Sequence, residues 1–251
     1  MDLSGALPVY AGDRIALVGA GGKTAMLSVL ADEFKSSCGC KALFTTTTKL
    51  GLDQSVPHGF AGMGERALAD AALCTAPGVY FIVSGEDREA GKLLGFSPKT
   101  LARYISGFDV CVMEADGARQ KLLKGWAAHE PVIPAFVTKT VGIINLRLVG
   151  KHATDDNIHR LDAYLKLSGD RAGGVVTLSG VERVVRDPEG LFRGARGERI
   201  LFVNMAESLT EAAEAERFLK RFEAGAPFSR AVTGSLFRRE YHVCTSCPSN
   251  L

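Results

Sequence analysis

Residues 19–24 read Gly-Ala-Gly-Gly-Lys-Thr and stand between an apolar run, Ile15-Ala16-Leu17-Val18, and a stretch with helical patterning. Glycine at Gly19, Gly21 and Gly22 lets the main chain turn its N–H groups inward around an oxyanion, and the positive end of the following helix points to the same place. Lys23 adds a mobile cation, and Thr24 adds a hydroxyl of the kind that coordinates Mg²⁺. Cradling a polyphosphate is the chemistry this arrangement suits. Gly19, Ala20, Gly21, Gly22, Lys23 and Thr24 are therefore candidate contacts for a nucleoside triphosphate, ATP or GTP, with Mg²⁺ as its companion ion. A glycine-rich turn carrying an incidental lysine is the plainer alternative.

The loop is shorter than G-x-x-x-x-G-K-[ST], because five residues before Gly22 stands Leu17. Its G-x-x-G-K-T spacing resembles the ATP-holding loop of the amide-forming ligases that build cell-wall peptides and folate polyglutamates. Further along, Leu43-Phe44 runs into Thr45-Thr46-Thr47-Thr48-Lys49, which puts hydroxyls where the ligand crevice of a parallel sheet opens. Thr46 and Thr47 are candidate metal or γ-phosphate contacts, although threonine also favours strands and alternate side chains turn away from any one face.

The apolar run 108–113 ends in Glu114-Ala115-Asp116-Gly117-Ala118, and a carboxylate in that position is where phosphate-loop enzymes keep the acid that holds Mg²⁺ or its waters. Glu114 and Asp116 are two residues apart and share a face in extended chain, so one can serve the metal while the other orients a nucleophile. An ordinary acidic turn is the alternative. Downstream, Lys124 can neutralise charge on phosphate, and His129 and Glu130 can move protons or bind substrate, unless His129 is merely solvated. Asn204-Met205-Ala206-Glu207 stands where guanine-specific proteins carry Asn-Lys-x-Asp, whose carboxylate accepts from guanine N1 and N2. Met205 and Glu207 depart from that pattern, so Asn204 and Glu207 are candidate base contacts and the base itself stays open.

To position these groups, short apolar or β-branched runs alternate with helical patterns, which predicts βα units. Strands are expected near 14–19, 41–46, 79–83, 109–114, 140–145, 174–178, 199–204 and 229–233. The clearest helices are 24–36, 65–73, 155–167 and 210–223, the last capped by Ser208 or Thr210. The fold class is α/β: a mostly parallel sheet with flanking helices, a three-layer sandwich like that of the P-loop NTPases. One domain over 1–240 and a flexible tail over 241–251 are expected. Residues 117–138, with two prolines and little periodicity, read as a long surface loop.

A chain of 251 residues, 46% of them hydrophobic, can bury a full core. Its 30 basic and 28 acidic residues are interspersed, so no footprint for nucleic acid or an anionic membrane surface is present. No run approaches the roughly 18 apolar residues of a membrane span, and residues 1–14 do not read as a leader, so a cytoplasmic protein is expected. The six cysteines, at 38, 40, 74, 111, 244 and 247, are sparse and read as reduced thiols, with Cys111 a small hydrophobe inside a strand. Cys244 and Cys247, near His242, have metal or redox spacing, with a floppy tail as the alternative.

Gly-Ala-Gly-Gly-Lys-Thr, Thr-Thr-Thr-Thr-Lys, Glu-Ala-Asp-Gly-Ala-Arg and His129-Glu130-Pro131-Val132-Ile133-Pro134 follow one another in an order that resembles the selenium-dependent hydroxylase accessory protein family of the YqeC type. Val141-Gly142-Ile143-Ile144-Asn145-Leu146 and His159-Arg160 fit the same resemblance. It implies a P-loop-like nucleotide-binding protein that assists maturation of molybdenum hydroxylases with a labile selenium centre, with a molybdenum hydroxylase or a cofactor-handling protein as partner. Three functions are compatible with these residues. They are a Mg²⁺-dependent NTPase serving that process, an ATP-dependent small-molecule kinase or ligase, and a nucleotide-sensing module without turnover.

Overall fold

A computed structural model describes residues 1–36, 39–52, 60–204 and 206–244. In chain order its elements are α1 Leu3–Ala6, β1 Arg14–Gly19, α2 Lys23–Ser36, β2 Lys41–Thr46, β3 Lys49–Gly51, β4 Phe60–Met63, α3 Gly64–Leu73, β5 Gly78–Val83, β6 Gly85–Asp87, β7 Lys92–Leu94, α4 Pro98–Tyr104 and β8 Val110–Glu114. Then follow β9 Leu123–Lys124, β10 Lys139–Asn145, β11 Ile158–His159, α5 Leu161–Ser168, α6 Leu178–Arg186, β12 Glu198–Asn204, α7 Leu209–Lys220, β13 Arg230–Ser235 and β14 Glu240–Cys244.

A nine-stranded sheet runs β14-β13-β12-β10-β1-β8-β2-β5-β4. Its pairs are parallel except β13 with β14. β1 lies between β10 and β8, with Gly19 opposite Ile143 and Leu17 opposite Glu114. The glycine loop and the acidic turn therefore leave the sheet at the same carboxyl edge. Strands covered on both faces read as continuous apolar runs, and their alternate residues feed two cores. Ala16 and Val18 join the core that contains Leu68, Tyr164, Val185 and Phe218, whereas Ile15 and Leu17 join the one that contains Leu3, Met26, Leu27 and Leu30. Helices α1 and α2 thus cover one face and α3 to α7 the other, which makes the three-layer α/β sandwich. A small antiparallel sheet, β3-β7-β6, stands beside the β2 end.

Four expectations change. Residues 174–178 form only isolated bridges, Val149 with Val176 and His152 with Val175, because Thr177 accepts from Gly180 N at 2.8 Å and caps α6 instead. The helix expected from 155 begins at Leu161: Ile158 and His159 pair with Leu123 and Lys124, and Arg160 at φ 56° breaks any helical lead-in. The segment 117–138 is not a surface loop, since Leu123, Lys124, Trp126 and Val137 are buried in it. Gly125 is pressed so tightly on α5 that a Cβ there would lie 2.4 Å from Tyr164 N. Finally, residues 241–244 belong to the sheet as part of β14. Ser208 caps α7 through a reciprocal box with Glu211.

Cys111 is buried, and burial pushes its thiol up to about 12. Cys38, Met205, Cys247 and the rest of 245–251 lie outside the described residues. No group of three or more His, Cys, Asp or Glu side chains suited to a metal is found among the described residues. No helix there is long and apolar enough to cross a membrane.

Candidate functional site

β1 ends on Gly19 at φ +97°, and the turn continues through Gly21 at φ +77°, backbone that L side chains seldom adopt. Space forbids them as well: a Cβ would lie 2.2 Å from Ile143 O at Gly19 and 2.6 Å from Asn145 Cβ at Gly21. The loop is braced from β12, where Asn204 Nδ2 donates to Gly21 O at 2.7 Å while its Oδ1 accepts from Leu236 N at 3.3 Å. α2 starts directly after the loop with no acidic residue in its first turn, so the positive end of the helix is left for an outside anion.

Behind the loop lies a buried chain of charges. Lys23 Nζ donates to Gly19 O at 2.5 Å and sits 3.1 Å from Asp116 Oδ1 and 3.7 Å from Glu114 Oε1. Asp116 Oδ2 accepts from Gly19 N at 3.0 Å and Trp126 Nε1 at 2.7 Å, and Lys124 Nζ stands 3.0 Å away. Lys124 continues to Gly117 O at 2.6 Å and Glu130 Oε2 at 3.4 Å, and Arg160 closes the far end with two 3.2 Å bonds to Glu130. Three cations, Lys23, Lys124 and Arg160, thus balance three carboxylates, Glu114, Asp116 and Glu130.

Burial works against charge at each of these groups, and the neighbours decide the outcome. Burial would lower Lys23, but Asp116 and Glu114 outweigh it and its pKa is raised. Lys124 comes out lowered, since burial together with Lys23 prevails over Asp116 and Glu130. Asp116 is held below its ordinary value against burial by Lys23, Lys124 and the Gly19 amide. Glu114 is raised, chiefly by burial and also by Asp116. His159 is pushed down to about 4 by burial, Lys124 and Arg160.

In front of the loop opens a cleft of about 1310 Å³. Among the described residues its lining carries Lys23, Lys49, Lys92, Arg119, Lys121, Arg160 and Arg239 against Glu114, Glu130 and Glu207, although the whole chain is almost neutral at +2. A concave surface with that excess favours anionic ligands. Of the candidate site residues, Gly21, Gly22, Lys23, Thr24, Thr47, Glu114, His129, Asn204 and Glu207 line it. Gly19, Ala20, Thr46, Asp116 and Lys124 are absent from the lining and stand behind the wall.

Thr24 Oγ1 donates to Glu114 Oε2 at 3.2 Å, so those two oxygens already face one another at the loop. Thr46 Oγ1 instead donates to Glu114 O at 3.0 Å, and Thr47 Oγ1 to Val132 O at 2.7 Å. Glu207 is engaged by Arg147 at 2.8 Å and by Ser235 Oγ at 3.1 Å. His129 is exposed and Glu130 is buried. Two residues outside the candidate set also belong to the site: Trp126, which bonds Asp116, and Phe237, 86% exposed on the cleft rim. Trp126 was findable as the chain's one tryptophan, lying ten residues after the acidic turn. Nothing local marks Phe237.

The model of the family described as YqeC protein matches residues 15–162, which include the loop, the acidic turn and both short strands around Lys124 and His159. An Escherichia coli (strain K12) protein named "Uncharacterized protein YqeC" is 32% identical over 197 residues, covering 76% of this chain and 75% of that one. No solved structure matches.

Proposed function

The chain belongs to the YqeC protein family, and we propose that it binds a nucleoside triphosphate with Mg²⁺ in the cleft and hydrolyses it. The observation that carries this reading is the glycine loop: positive-φ backbone packed where only glycine fits, opening onto a helix N-terminus in a cationic cleft. Residues 19–24 supply the amides, and Lys23 leaves Asp116 for the phosphates. Thr24 and Glu114 would hold Mg²⁺; their facing oxygens, with a buried carboxyl whose pKa burial has raised, form the kind of hard-oxygen set that such an ion takes. When bound, the ion neutralises charge on the phosphate oxygens. Asp116, Lys124 and Thr46 act as positioning residues, through Lys23, Gly19 and the Glu114 backbone.

The cleft volume, about 1310 Å³, favours a second reading beside hydrolysis. Pockets that hold one drug-sized ligand run to roughly 300–1,000 Å³, so there is room here for an acceptor, as in a small-molecule kinase or ATP-dependent ligase. The process served is the one the resemblance implies, maturation of selenium-dependent molybdenum hydroxylases with a hydroxylase or cofactor-handling partner. Deleting the gene in a cell that makes such a hydroxylase should lower its selenium content; unchanged content would remove that part of the proposal.

Calorimetry with Mg²⁺ and the non-hydrolysable ATP analogue AMP-PNP, or its guanine counterpart, tests the core reading. Lys23→Ala should weaken binding about 10- to 100-fold through loss of a charge-assisted contact. Equal affinity in parent and variant would put Lys23 elsewhere than on phosphate. With ATP or GTP, product without an acceptor supports hydrolysis, acceptor-dependent ADP supports transfer, and binding without product leaves a nucleotide-sensing module.

A further inference from the structure

His159 is a group the proposed function does not use. It lies on β11 opposite Lys124 of β9, lines the cleft and is only 7% exposed, yet its imidazole makes no hydrogen bond among the described residues. The ring is buried on the protein side, and a side chain that lines a cleft without a partner in the fold is free to bond a ligand there. Arg119, which acts on the imidazole, and Lys121 line the same cleft, and neither has an ion-pair partner among the described residues. Arg160, next in sequence, shares Glu130 with Lys124, which also pairs with Asp116, so the excess of positive charge at this corner comes from Arg119 and Lys121.

The backbone here is also unusual. Arg119 at φ 49°, Gln120 at φ 60° and Arg160 at φ 56° are three of the four described non-glycine residues with positive φ. Such conformations gather at ligand clamps, where surrounding packing holds them in place.

We propose that Arg119, Lys121, His159 and Arg160 form a second oxyanion seat in the cleft, apart from the glycine loop, which takes the carboxylate or phosphate group of a second small ligand. It deepens the proposed function, resting on that reading only in assigning the loop to the triphosphate. Arg119 and Lys121 supply free charge, Arg160 shares its guanidinium with Glu130, and the His159 N–H donates to the incoming oxygen. The groups around the imidazole are Lys124, Arg160, Glu130 and Arg119. With three of these four cationic, the ring is neutral at pH 7 and presents one donor and one acceptor, the donor being the group that meets the ligand oxygen.

The test uses the full chain with ¹⁵N-labelled histidine rings, His159 being assigned from the spectrum of His159→Gln. Inorganic phosphate and, separately, acetate are titrated in the absence and presence of saturating Mg²⁺ and AMP-PNP. With AMP-PNP bound, at least one probe should still shift the His159 ring nitrogens saturably, and Arg119→Gln should weaken that probe about tenfold. A response to phosphate alone or to acetate alone supports the seat and says which group it takes. No shift of His159 with either probe, or loss of the shift once AMP-PNP binds, overturns the second seat. If AMP-PNP fails to bind while a probe still moves His159, the nucleotide reading falls and the seat stands.

Discussion

The two walls of the cleft are built in opposite ways. The loop wall comes from one contiguous run, residues 19–24, laid on the middle strand of the sheet and backed by Lys23, Asp116 and Glu114, all buried. The facing wall is assembled from 117–130 and 158–160, joined by the two-residue pairing of β9 and β11, and it ends in Arg160, whose side chain is 34% exposed. The two lysines of the charge chain report the same contrast. Lys23 lies between two carboxylates and is raised, whereas Lys124 is lowered where burial and a neighbouring cation prevail. The loop wall is thus held by charge locked out of water, whereas the charges of the facing wall run from Lys124 and Glu130, both buried, out to Arg160, which solvent partly screens.

The largest effect should come from Asp116→Ala. It leaves Lys23 and Lys124 buried without their shared partner and removes the acceptor of Gly19 N and Trp126 Nε1. Breaking a buried pair from one side costs about 3–5 kcal/mol, which urea denaturation at pH 7 should register. A loss under about 1 kcal/mol would mean that water reaches this cluster and that the walls do not differ.

The facing wall has its own signature in pH. The unfolded chain protonates His159 near 6.5 and the folded chain only at about 4, so the unfolded state binds more protons between those values. Stability is therefore full above 6.5 and falls as pH drops through that window. The fall should reach about 2–3 kcal/mol by about pH 4.5, at about 1.4 kcal/mol per pH unit. Glu114, raised above 4.5, contributes in the opposite direction as acid is added, so the comparison is with His159→Gln, whose denaturation series should lose this acid sensitivity. Parallel curves for parent and variant would show that the imidazole is not kept neutral by its surroundings.

A smaller change tests the loop itself. Gly21→Ala puts a methyl group against Asn145 at φ +77°. The conformation alone should cost about 1–2 kcal/mol, and AMP-PNP affinity should fall with the fold retained by circular dichroism. Undiminished affinity would separate the loop's shape from nucleotide binding.

The same contrast explains what could be read from the sequence. β1, β2, β8, β10 and β12 are apolar runs buried on both faces, and the glycine loop is a local pattern, so strand, turn and helix announce themselves within twenty residues. Glu114 and Asp116 were visible as a pair, but not their division of labour: Glu114 lines the cleft and Asp116 stands fully buried behind it. That division depends on Trp126 and Lys124 folding back onto the acidic turn, which no periodicity encodes. Residues 117–138 read as loop because their burial comes from packing on α5 and β11 rather than from a repeat. Lys124 within an otherwise apolar Leu122-Leu123 and Trp126 neighbourhood was the trace of that burial.

The smallest expected effect lies at the end of the charge chain. Arg160→Ala removes both 3.2 Å bonds to Glu130, yet Glu130 keeps Lys124 at 3.4 Å and the lost guanidinium was partly solvated. Exposed and half-exposed pairs are worth about 0–1 kcal/mol, so urea denaturation at pH 7 should show a loss of no more than about 1 kcal/mol. It should also decline further in high salt for the parent, because a pair that solvent can reach is screened while the Asp116 cluster is not. A cost for Arg160→Ala matching that for Asp116→Ala would mean that the six charges act as one cooperative unit. The facing wall would then be as rigid as the loop wall, and the division drawn between them would fail.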